Sequence, residues 1–331
     1  MEPLLIIPLI LSFLVTLFFT PIWIKKAKEI GLIWEDMNKK NYPKNVAGSG
    51  GIVVTFGFIL GVLIYIAIKT FYFNSTENLI EVFIILTSIS IISSVGLIDD
   101  LFGWQKGGLS KKSRLILILL AAIPLMVINA GESEMMGIEF GLFYPLLLIP
   151  LGIVGATATY NFLAGYNGLE TSQGILILLA LSFITWVTGS SWLSLISLIM
   201  VFSLVAFYIY NKYPAKVFPG DILTYSIGSL IAIIAILGNI EKITIFLFIP
   251  YIIETGLKLR GKLKKDSFAK LDKDGSLEVP YDKFYGIEHI AIYLLKKIKK
   301  KVYEKDVVYL INAFQILIII LAFILFGKEI F

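Results

Sequence analysis

Hydrophobic residues along this chain occur in blocks of about twenty, separated by short polar connections. A helix of about 20 apolar residues is long enough to cross the ~30 Å hydrocarbon core of a bilayer. The pattern therefore predicts an all-α polytopic membrane protein with about ten transmembrane helices, in which residues 1–331 form a single integral membrane domain. The predicted spans lie at about 3–24, 50–72, 79–98, 114–130, 142–160, 171–188, 192–210, 222–239, 243–257 and 307–327.

Composition supports a membrane protein and removes several kinds of chemistry. Hydrophobic residues make up 57% of the 331 residues and charged residues only 16%, compared with roughly 25% charged residues in a soluble domain. The chain contains no Cys and one His. Disulfides, thiolate zinc sites, iron–sulfur clusters, a cysteine nucleophile and polyhistidine metal sites are therefore excluded.

Basic residues are concentrated on alternate connections, which predicts the orientation of the chain. Of the 29 Lys and Arg residues, 26 lie in the connections after the first, third, seventh and ninth spans. Because basic residues remain on the cytoplasmic side of a membrane protein, we expect both termini outside and a functional site on the cytoplasmic face of the cell membrane. The positive charge thus indicates topology, and it gives no evidence for a nucleic-acid partner.

Two adjacent acids, Asp99 and Asp100, end the third span. Carboxylates at a helix C-terminus are unfavourable by up to about 1 kcal/mol each unless a cation is nearby. One interpretation is a solvated pair neutralised by nearby basic side chains. The other is a site for a divalent metal or a phosphate, built from the oxygen ligands that Mg²⁺ prefers. The candidate neutralising side chains are Lys106, Lys111, Lys112 and Arg114.

A second polar cluster connects the fifth and sixth spans and contains no Lys or Arg. Its residues Asn161, Asn167 and Gly168 could be turn or capping residues. Alternatively, the Asn side chains could ligate a metal or recognise an amide-bearing ring. Glu170 begins the sixth span, where the helix dipole stabilises an acid. The residues alone leave both interpretations open.

Asp221 follows Val217-Phe-Pro-Gly at the start of the eighth span. An Asp before an apolar helix is an ordinary N-cap, which contributes about 1 kcal/mol to stability. The free backbone N–H groups of the same helix start also form an anion site. Both hypotheses stay open, because a capping Asp can also bind a metal.

The last cytoplasmic connection, 258–305, is predicted to form a small module. Two short runs on either side of Asp274-Gly275 predict a β-hairpin. Between residues 284 and 302, apolar residues recur at helical spacing beside several Lys, which predicts an amphipathic helix at the membrane interface. Lys265 and Lys270 could bind an anionic substrate, although each is also explained by the excess of basic residues on this side.

Together these motifs resemble the polyprenyl-phosphate N-acetylhexosamine-1-phosphate transferase superfamily over nearly the whole chain. The motifs are Pro43-Lys44 through Gly50-Gly51, Gly96-Leu-Ile-Asp99-Asp100, Asn161-Phe-Leu-Ala-Gly-Tyr-Asn167-Gly-Leu-Glu170 and Phe218-Pro-Gly-Asp221. Within the superfamily the chain is most similar to the eukaryotic and archaeal dolichyl-phosphate GlcNAc-1-phosphate transferases, because it shares their sequence motif at Asn167-Gly-Leu-Glu170. The multi-histidine motif of the bacterial branches is absent, since His289 is the single His.

The resemblance implies an enzyme that transfers GlcNAc-1-phosphate from UDP-GlcNAc to a polyprenyl (dolichyl) phosphate, giving polyprenyl-diphospho-GlcNAc and UMP. This reaction begins lipid-linked oligosaccharide synthesis for N-glycosylation and uses Mg²⁺, with Mn²⁺ as an alternative ion. The alternatives are a related transferase that uses another UDP-HexNAc for cell-wall or surface polysaccharide, and a lipid-linked sugar transporter. A transporter is less favoured, because the spans contain almost no charged residues that could line a polar path. A homodimer is compatible with these implications.

The same resemblance implies roles for individual acids and amides. Asn161 and Asp221 would hold Mg²⁺ against the diphosphate. Asp99 and Asp100 would position or deprotonate the lipid phosphate. Whether attack is direct or passes through a covalent aspartyl intermediate stays open.

Basic residues depart from the family pattern. The family's phosphate-binding Lys has its place taken by Arg114, with Lys111 and Lys112 one turn earlier. Arg binds phosphate through two N–H groups whereas Lys acts as a point charge. We therefore expect phosphate binding to be retained, and any of Arg114, Lys111 and Lys112 could provide it. The remaining residues predicted to bind substrate are Asn167, which would contact uracil, Gly168, Glu170, Lys265 and Lys270.

Overall fold

The computed structural model describes residues 2–40, 43–135 and 137–330, without the side chains of Lys44 and Lys106. Seven of the described helices are long and apolar enough to cross a membrane, which confirms the prediction of a polytopic all-α membrane protein. The helices are α1 (Ile6–Ile30), α2 (Gly51–Ala67), α3 (Leu79–Lys106), α4 (Lys111–Leu120), α5 (Ile123–Val127), α6 (Ile149–Tyr160), α7 (Leu169–Val187), α8 (Ser191–Asn211), α9 (Gly220–Leu237), α10 (Glu241–Leu247), α11 (Ile249–Arg260), α12 (Ile287–Lys296), α13 (Glu304–Leu325) and α14 (Gly327–Ile330).

Two of the ten predicted spans form interrupted helices instead of continuous ones. Pro124 and Pro250 lie in the first turn of α5 and α11. A Pro is well placed at the start of a helix, but it has no N–H to donate and therefore ends the helix before it. The interrupted spans are those predicted at 114–130 and 243–257, which form α4 with α5 and α10 with α11. The span predicted at 142–160 is one continuous helix, Tyr144–Tyr160, whose first part, Tyr144–Leu148, is π-helical.

Helix α9 is the centre of the bundle. Of its apolar window, 83% is buried inside the protein, the largest share among the seven long helices. It packs against α3 and α6. Lipid tails are as apolar as these side chains, so the packing depends on close fit and on small residues. A Cβ on Gly96 would lie 2.5 Å from the Cα of Ile222, and a Cβ on Gly228 would lie 2.8 Å from the Cα of Thr157. Gly96 therefore brings the carboxyl end of α3 against the start of α9.

An unpredicted hairpin fixes the segment that leads into α9. Strands β1 (Ile33–Glu35) and β2 (Lys44–Ala47) pair antiparallel. At the end of β2, the N–H of Phe218 donates to the carbonyl of Ala47 at 2.7 Å, and the N–H of Gly50 donates to the carbonyl of Phe218 at 2.9 Å. These bonds hold the residues before α9 against the start of α2. A second small hairpin joins β3 (Glu134–Met135) to β4 (Ile138–Glu139).

The hairpin predicted in the last long connection is confirmed. Strands β5 (Lys270–Leu271) and β6 (Leu277–Glu278) pair antiparallel around Asp274-Gly275. The predicted amphipathic helix is α12, which is shorter than the 284–302 range of the prediction. One face of α12 is buried against α11 and α13, whereas Tyr293 and Leu294 on its other face are 44% and 46% exposed.

Candidate active site

A cavity of about 970 Å³ lies where the carboxyl end of α3, the start of α9 and the connection before α7 meet. Half of the predicted site residues line it, although they are far apart in the sequence. The predicted residues in its wall are Asp99, Asp100, Arg114, Asn161, Glu170 and Asp221. The fold therefore brings the three polar clusters found in the sequence to one place.

Asp99 and Arg114 form the tightest ion pair in the cavity. The Nε atom of Arg114 lies 2.6 Å from Oδ2 of Asp99, and its Nη2 atom donates to Oδ1 at 3.0 Å. Such two-point pairing holds both side chains in one orientation. Asp99 also accepts the N–H of Leu109 at 2.9 Å and the hydroxyl of Tyr225 at 2.8 Å. Arg114 is therefore the basic residue that neutralises Asp99, which the sequence alone left undecided.

Asp100 caps helix α9 from outside that helix. The N–H of Asp221, in the first turn of α9, donates to Oδ1 of Asp100 at 2.7 Å. The N-cap residue is Pro219, and no side chain within the segment caps the helix. The hypothesis that Asp221 is the N-cap is therefore wrong. Gly220 lies between Pro219 and Asp221 and has a φ of 72°, a conformation that favours Gly. A Cβ on Gly220 would meet the carboxylate of Asp100.

Because Asp221 is not used as a cap, its carboxylate is available to the cavity. Its side chain is 25% exposed, and Oδ2 lies 3.8 Å from Nη2 of Arg114. The hydroxyl of Tyr225 lies 3.3 Å from the same oxygen, and the hydroxyl of Thr224 donates to Oδ1 of Asn161 at 2.8 Å. Sequence reasoning missed Thr224 and Tyr225. Their spacing of three and four residues from Asp221 places them on the same helix face, and this signal could have identified them.

The cavity wall carries more acid than base. Among the described residues that line it, Arg114 is the one Lys or Arg. No group of three or more His, Cys, Asp or Glu in the described ranges is arranged to hold a metal by itself. A cation in this cavity would therefore take part of its coordination from other groups, such as amides, water or a phosphate. The acids of the wall are Glu35, Asp99, Asp100, Glu170 and Asp221.

Glu170 holds the connection between α6 and α7. Its Oε1 atom accepts the N–H of Gly165 at 2.7 Å, and the side chain is buried although it belongs to the cavity wall. Gly168 is the N-cap of α7 with a φ of 81°, and a Cβ there would lie 2.9 Å from the ring of Tyr208. Both residues shape the connection.

Asn167 lies outside the cavity wall, and its side chain is already bonded within the protein. Its Nδ2 group donates to Asp36 at 3.2 Å. Its Oδ1 atom accepts the N–H of Ala215 at 2.7 Å and the ammonium of Lys39 at 3.0 Å. A contact between this side chain and uracil stays a prediction from the resemblance.

The four predicted Lys residues are exposed and do not line the cavity in the described structure. The ammonium of Lys111 donates to the carbonyl of Leu263 at 3.3 Å, and that of Lys265 lies 4.8 Å above the ring of Tyr281. Lys112 and Lys270 project from the start of α4 and from β5. The side chain of Lys106, another candidate from the sequence, lies outside what the structure describes.

Comparison with known proteins identifies the family. Residues 82–239 match the model of glycosyl transferase family 4. A Saccharolobus solfataricus protein assigned as a UDP-N-acetylglucosamine–dolichyl-phosphate N-acetylglucosaminephosphotransferase is 36% identical over 87% of this chain and 87% of its own length. The chain belongs to this transferase family. Two further relatives carry the same description: a Sulfolobus acidocaldarius protein, 33% identical over 96% of this chain and 94% of its own, and a Dictyostelium discoideum protein, 32% identical over 66% and 62%.

The family assignment confirms the resemblance drawn from the motifs. The segment of this transferase that matches the family model contains Asp99, Asp100, Asn161 and Asp221. The three relatives come from archaea and a eukaryote. The sequence of the Asn167-to-Glu170 motif predicted a similarity to this branch.

Proposed function

We propose that this transferase moves GlcNAc-1-phosphate from UDP-GlcNAc to a polyprenyl (dolichyl) phosphate, releasing UMP, as the first step of lipid-linked oligosaccharide synthesis for N-glycosylation. The observation that carries the proposal is the convergence of Asp99, Arg114, Asn161 and Asp221 on one cavity at the ends of membrane helices. A soluble nucleotide sugar and a lipid phosphate can both reach such a place. The names of the relatives reported above support the same two substrates.

The donor set of the cavity fits Mg²⁺, with Mn²⁺ as an alternative. Mg²⁺ is commonly bound by one or two carboxylates together with waters and substrate phosphates, and the cavity offers Asp221 and Asn161 beside an excess of acid. We assign Asp221 and Asn161 as the residues that hold the ion. The ion would supply charge neutralisation for the diphosphate, which phosphoryl-type transfer requires.

The remaining residues favour direct attack by the lipid phosphate. One of its oxygens forms a bond to the β-phosphorus of UDP-GlcNAc, the bond from that phosphorus to the bridging oxygen breaks, and UMP leaves. Asp99 is held by Arg114. Asp100 accepts the N–H of Asp221 through Oδ1, and its Oδ2 atom is buried, so neither carboxylate is placed as a free nucleophile. Arg114, whose side chain is 33% exposed, can bind a phosphate oxygen while it remains paired with Asp99.

An apolar groove fits the polyprenyl chain. It has a volume of about 390 Å³ and runs along α6, between α9 and the α10–α11 pair. Its wall is mostly apolar and ends at Thr159, two residues before Asn161. Gly152 and Gly155 line it, and a Cβ on either would meet no atom within 4 Å. The groove therefore leads from the lipid-facing side of α6 towards the polar cavity.

The orientation also belongs to this proposal. The chain would cross the cell membrane ten times, with both termini outside and the cavity on the cytoplasmic face. The 258–305 connection would then form a cytoplasmic module beside the cavity. The concentration of Lys and Arg on alternate connections supports this arrangement, and UDP-sugars are cytoplasmic compounds.

Release of UMP by purified protein tests the proposal. Protein in detergent or vesicles is incubated with UDP-GlcNAc, dolichyl phosphate and Mg²⁺, with a parallel reaction in EDTA and a panel of other UDP-HexNAc donors. We expect UMP and a lipid-linked GlcNAc diphosphate only when the lipid and the divalent ion are both present. Turnover with another UDP-HexNAc alone would assign the cell-wall or surface-polysaccharide alternative. Absence of divalent-dependent release with every donor would refute the enzyme assignment.

A further inference from the structure

One wall of the cavity is built from connections between helices. Met37, Gly165 and Phe268 line the cavity and belong to three different connections. Asn38 joins them, because its Oδ1 atom accepts the N–H of Ala269 at 3.2 Å and its Nδ2 group donates to the carbonyl of Gly165 at 3.5 Å. A Cβ on Gly165, where φ is 103°, would lie 2.9 Å from the ring of Phe268. The shape of this wall therefore depends on the relative position of the three connections.

The ammonium of Lys39 lies at the junction behind this wall. It is 2.6 Å from Oδ2 of Asp36, 2.7 Å from Oε2 of Glu304 at the start of α13 and 3.0 Å from Oδ1 of Asn167. It also lies 4.8 Å above the ring of Tyr213. The Lys39 side chain is only 14% exposed, and those of Asp36 and Glu304 are 5% and 1% exposed. A single cation thus joins four segments that are remote in the sequence.

The hydrogen bonds around Asn167 connect the contacts of Lys39 to the cavity wall. Besides the contacts of its side chain with Asp36, Lys39 and Ala215, its N–H donates to Oε1 of Glu304 at 2.7 Å. Asn167 follows Gly165 and Tyr166, which line the cavity. Fixing Asn167 therefore fixes the backbone of the α6–α7 connection at the point where it forms the wall.

We propose that Lys39 is a positioning residue for the nucleotide sugar, because it locks the 36–39 segment, the α6–α7 connection and the start of α13 into the one arrangement that shapes this wall. This inference rests on the proposed function. The wall is made of connections outside the long membrane helices, whereas the apolar groove runs along α6 on the other side of Asn161. A change at Lys39 should therefore affect the soluble substrate and leave the lipid substrate largely unaffected.

Charge governs the choice of variant. The cluster contains one ammonium and two buried carboxylates, so Lys39→Met alone leaves two acids facing each other without a cation, which can prevent folding. The double variant Lys39→Met with Glu304→Gln removes one charge of each sign and keeps the net charge of the cluster at −1. Lys39→Arg retains the cation, and Lys40→Met changes an exposed neighbour as the matched control.

Steady-state kinetics with both substrates varied, together with melting temperatures, test the inference. In the folded double variant we expect the KM for UDP-GlcNAc to rise roughly 10-fold or more, while the KM for dolichyl phosphate stays within about twofold. Lys39→Arg should recover part of the loss, and Lys40→Met should match the wild type. An unchanged KM for UDP-GlcNAc, or an equal rise in both KM values, would overturn the role of Lys39 while wild-type turnover upholds the proposed function. A wild type without turnover would overturn both.

Discussion

The N–H of Asp221 donates to Oδ1 of Asp100 at 2.7 Å, so an acid at the end of α3 caps the helix that carries the next acid of the site. This bond spans 121 positions in the sequence. The two acids therefore have different roles. Asp100 satisfies the start of α9, and Asp221, with a quarter of its side chain exposed, faces the cavity.

Asp221→Asn is expected to abolish turnover without unfolding the protein. The substitution removes the negative charge that would hold the metal ion, but it leaves the backbone N–H that binds Asp100. We expect kcat/KM to fall by at least about 100-fold and the melting temperature to change by no more than a few degrees. UMP release over a range of Mg²⁺ concentrations, with thermal melting in parallel, measures both. Retained activity would show that Asp221 does not hold the ion.

Asp100→Ala provides the contrasting variant. Loss of the cap should destabilise the protein by about 1 kcal/mol, whereas Asp100→Asn retains an oxygen acceptor and should keep most of the stability. If Asp100→Ala and wild type melted at the same temperature, the cap would contribute nothing to stability.

Arg114→Lys is expected to impair the site more than Lys112→Met. Arg114 holds Asp99 through two nitrogen atoms, Nε and Nη2, and a Lys ammonium cannot reproduce both contacts. We expect kcat/KM to fall about 10- to 100-fold in Arg114→Lys and by less than about threefold in Lys112→Met, whose side chain is exposed. The reverse order would transfer the phosphate-binding role to Lys112.

Gly155→Leu should block the groove along α6 selectively. A Cβ at this position would meet no atom within 4 Å and Gly155 is exposed, so the protein is expected to fold normally. We expect the KM for a long-chain polyprenyl phosphate to rise by about 10-fold or more and the KM for UDP-GlcNAc to stay unchanged. Leu179→Phe, at an exposed position of α7 outside the groove wall, is the control. Equal lipid KM values in Gly155→Leu and wild type would exclude the groove as the polyprenyl site.

His289 should make stability sensitive to acid. Burial, assisted by Lys258, lowers the pKa of His289 to about 4 from 6.5, and its Nδ1 atom accepts the N–H of Tyr285 at 3.2 Å. The unfolded chain binds this proton at higher pH than the folded one. The contribution of His289 is therefore fully present above about pH 6.5 and is lost as the pH falls towards 4.

The variant His289→Gln isolates this effect, because the chain has a single His. Relative to His289→Gln, the wild type should lose roughly 3 °C of melting temperature between pH 7 and pH 4.5. Melting curves of both proteins in one buffer series measure the difference. A difference that is constant with pH would mean that His289 is protonated equally in the folded and unfolded chains.

Local patterns predicted the elements whose causes are local. The β5–β6 hairpin follows from the Asp274-Gly275 turn, and α12 follows from apolar spacing beside Lys residues. The breaks between α4 and α5 and between α10 and α11 were missed, although Pro124 and Pro250 were visible in the sequence. Mean hydropathy over a long window averages over such breaks, because one Pro changes the backbone geometry and hardly changes the apolar content.

The candidate site was predicted as a set of residues, but the contacts among them were not. Asp99, Asp100, Asn161 and Asp221 were identified, and the structure places all four in one cavity wall. Lys39 was not predicted as a site residue, because its partners Asn167 and Glu304 are 128 and 265 positions away. No periodicity connects residues at such separations.

By itself, the sequence determined that the chain lies in a membrane, that its acids gather at the ends of helices and that it offers oxygen donors and basic side chains but no thiols. These properties follow from apolar block length and residue type, which act locally along the chain. Only the tertiary structure decided that Arg114 pairs with Asp99, that Asp100 caps α9 and that Asp221 is left to face the cavity. Hydrogen bonds and ion pairs depend on distances of about 3 Å between atoms, and those distances are set by how the helices pack.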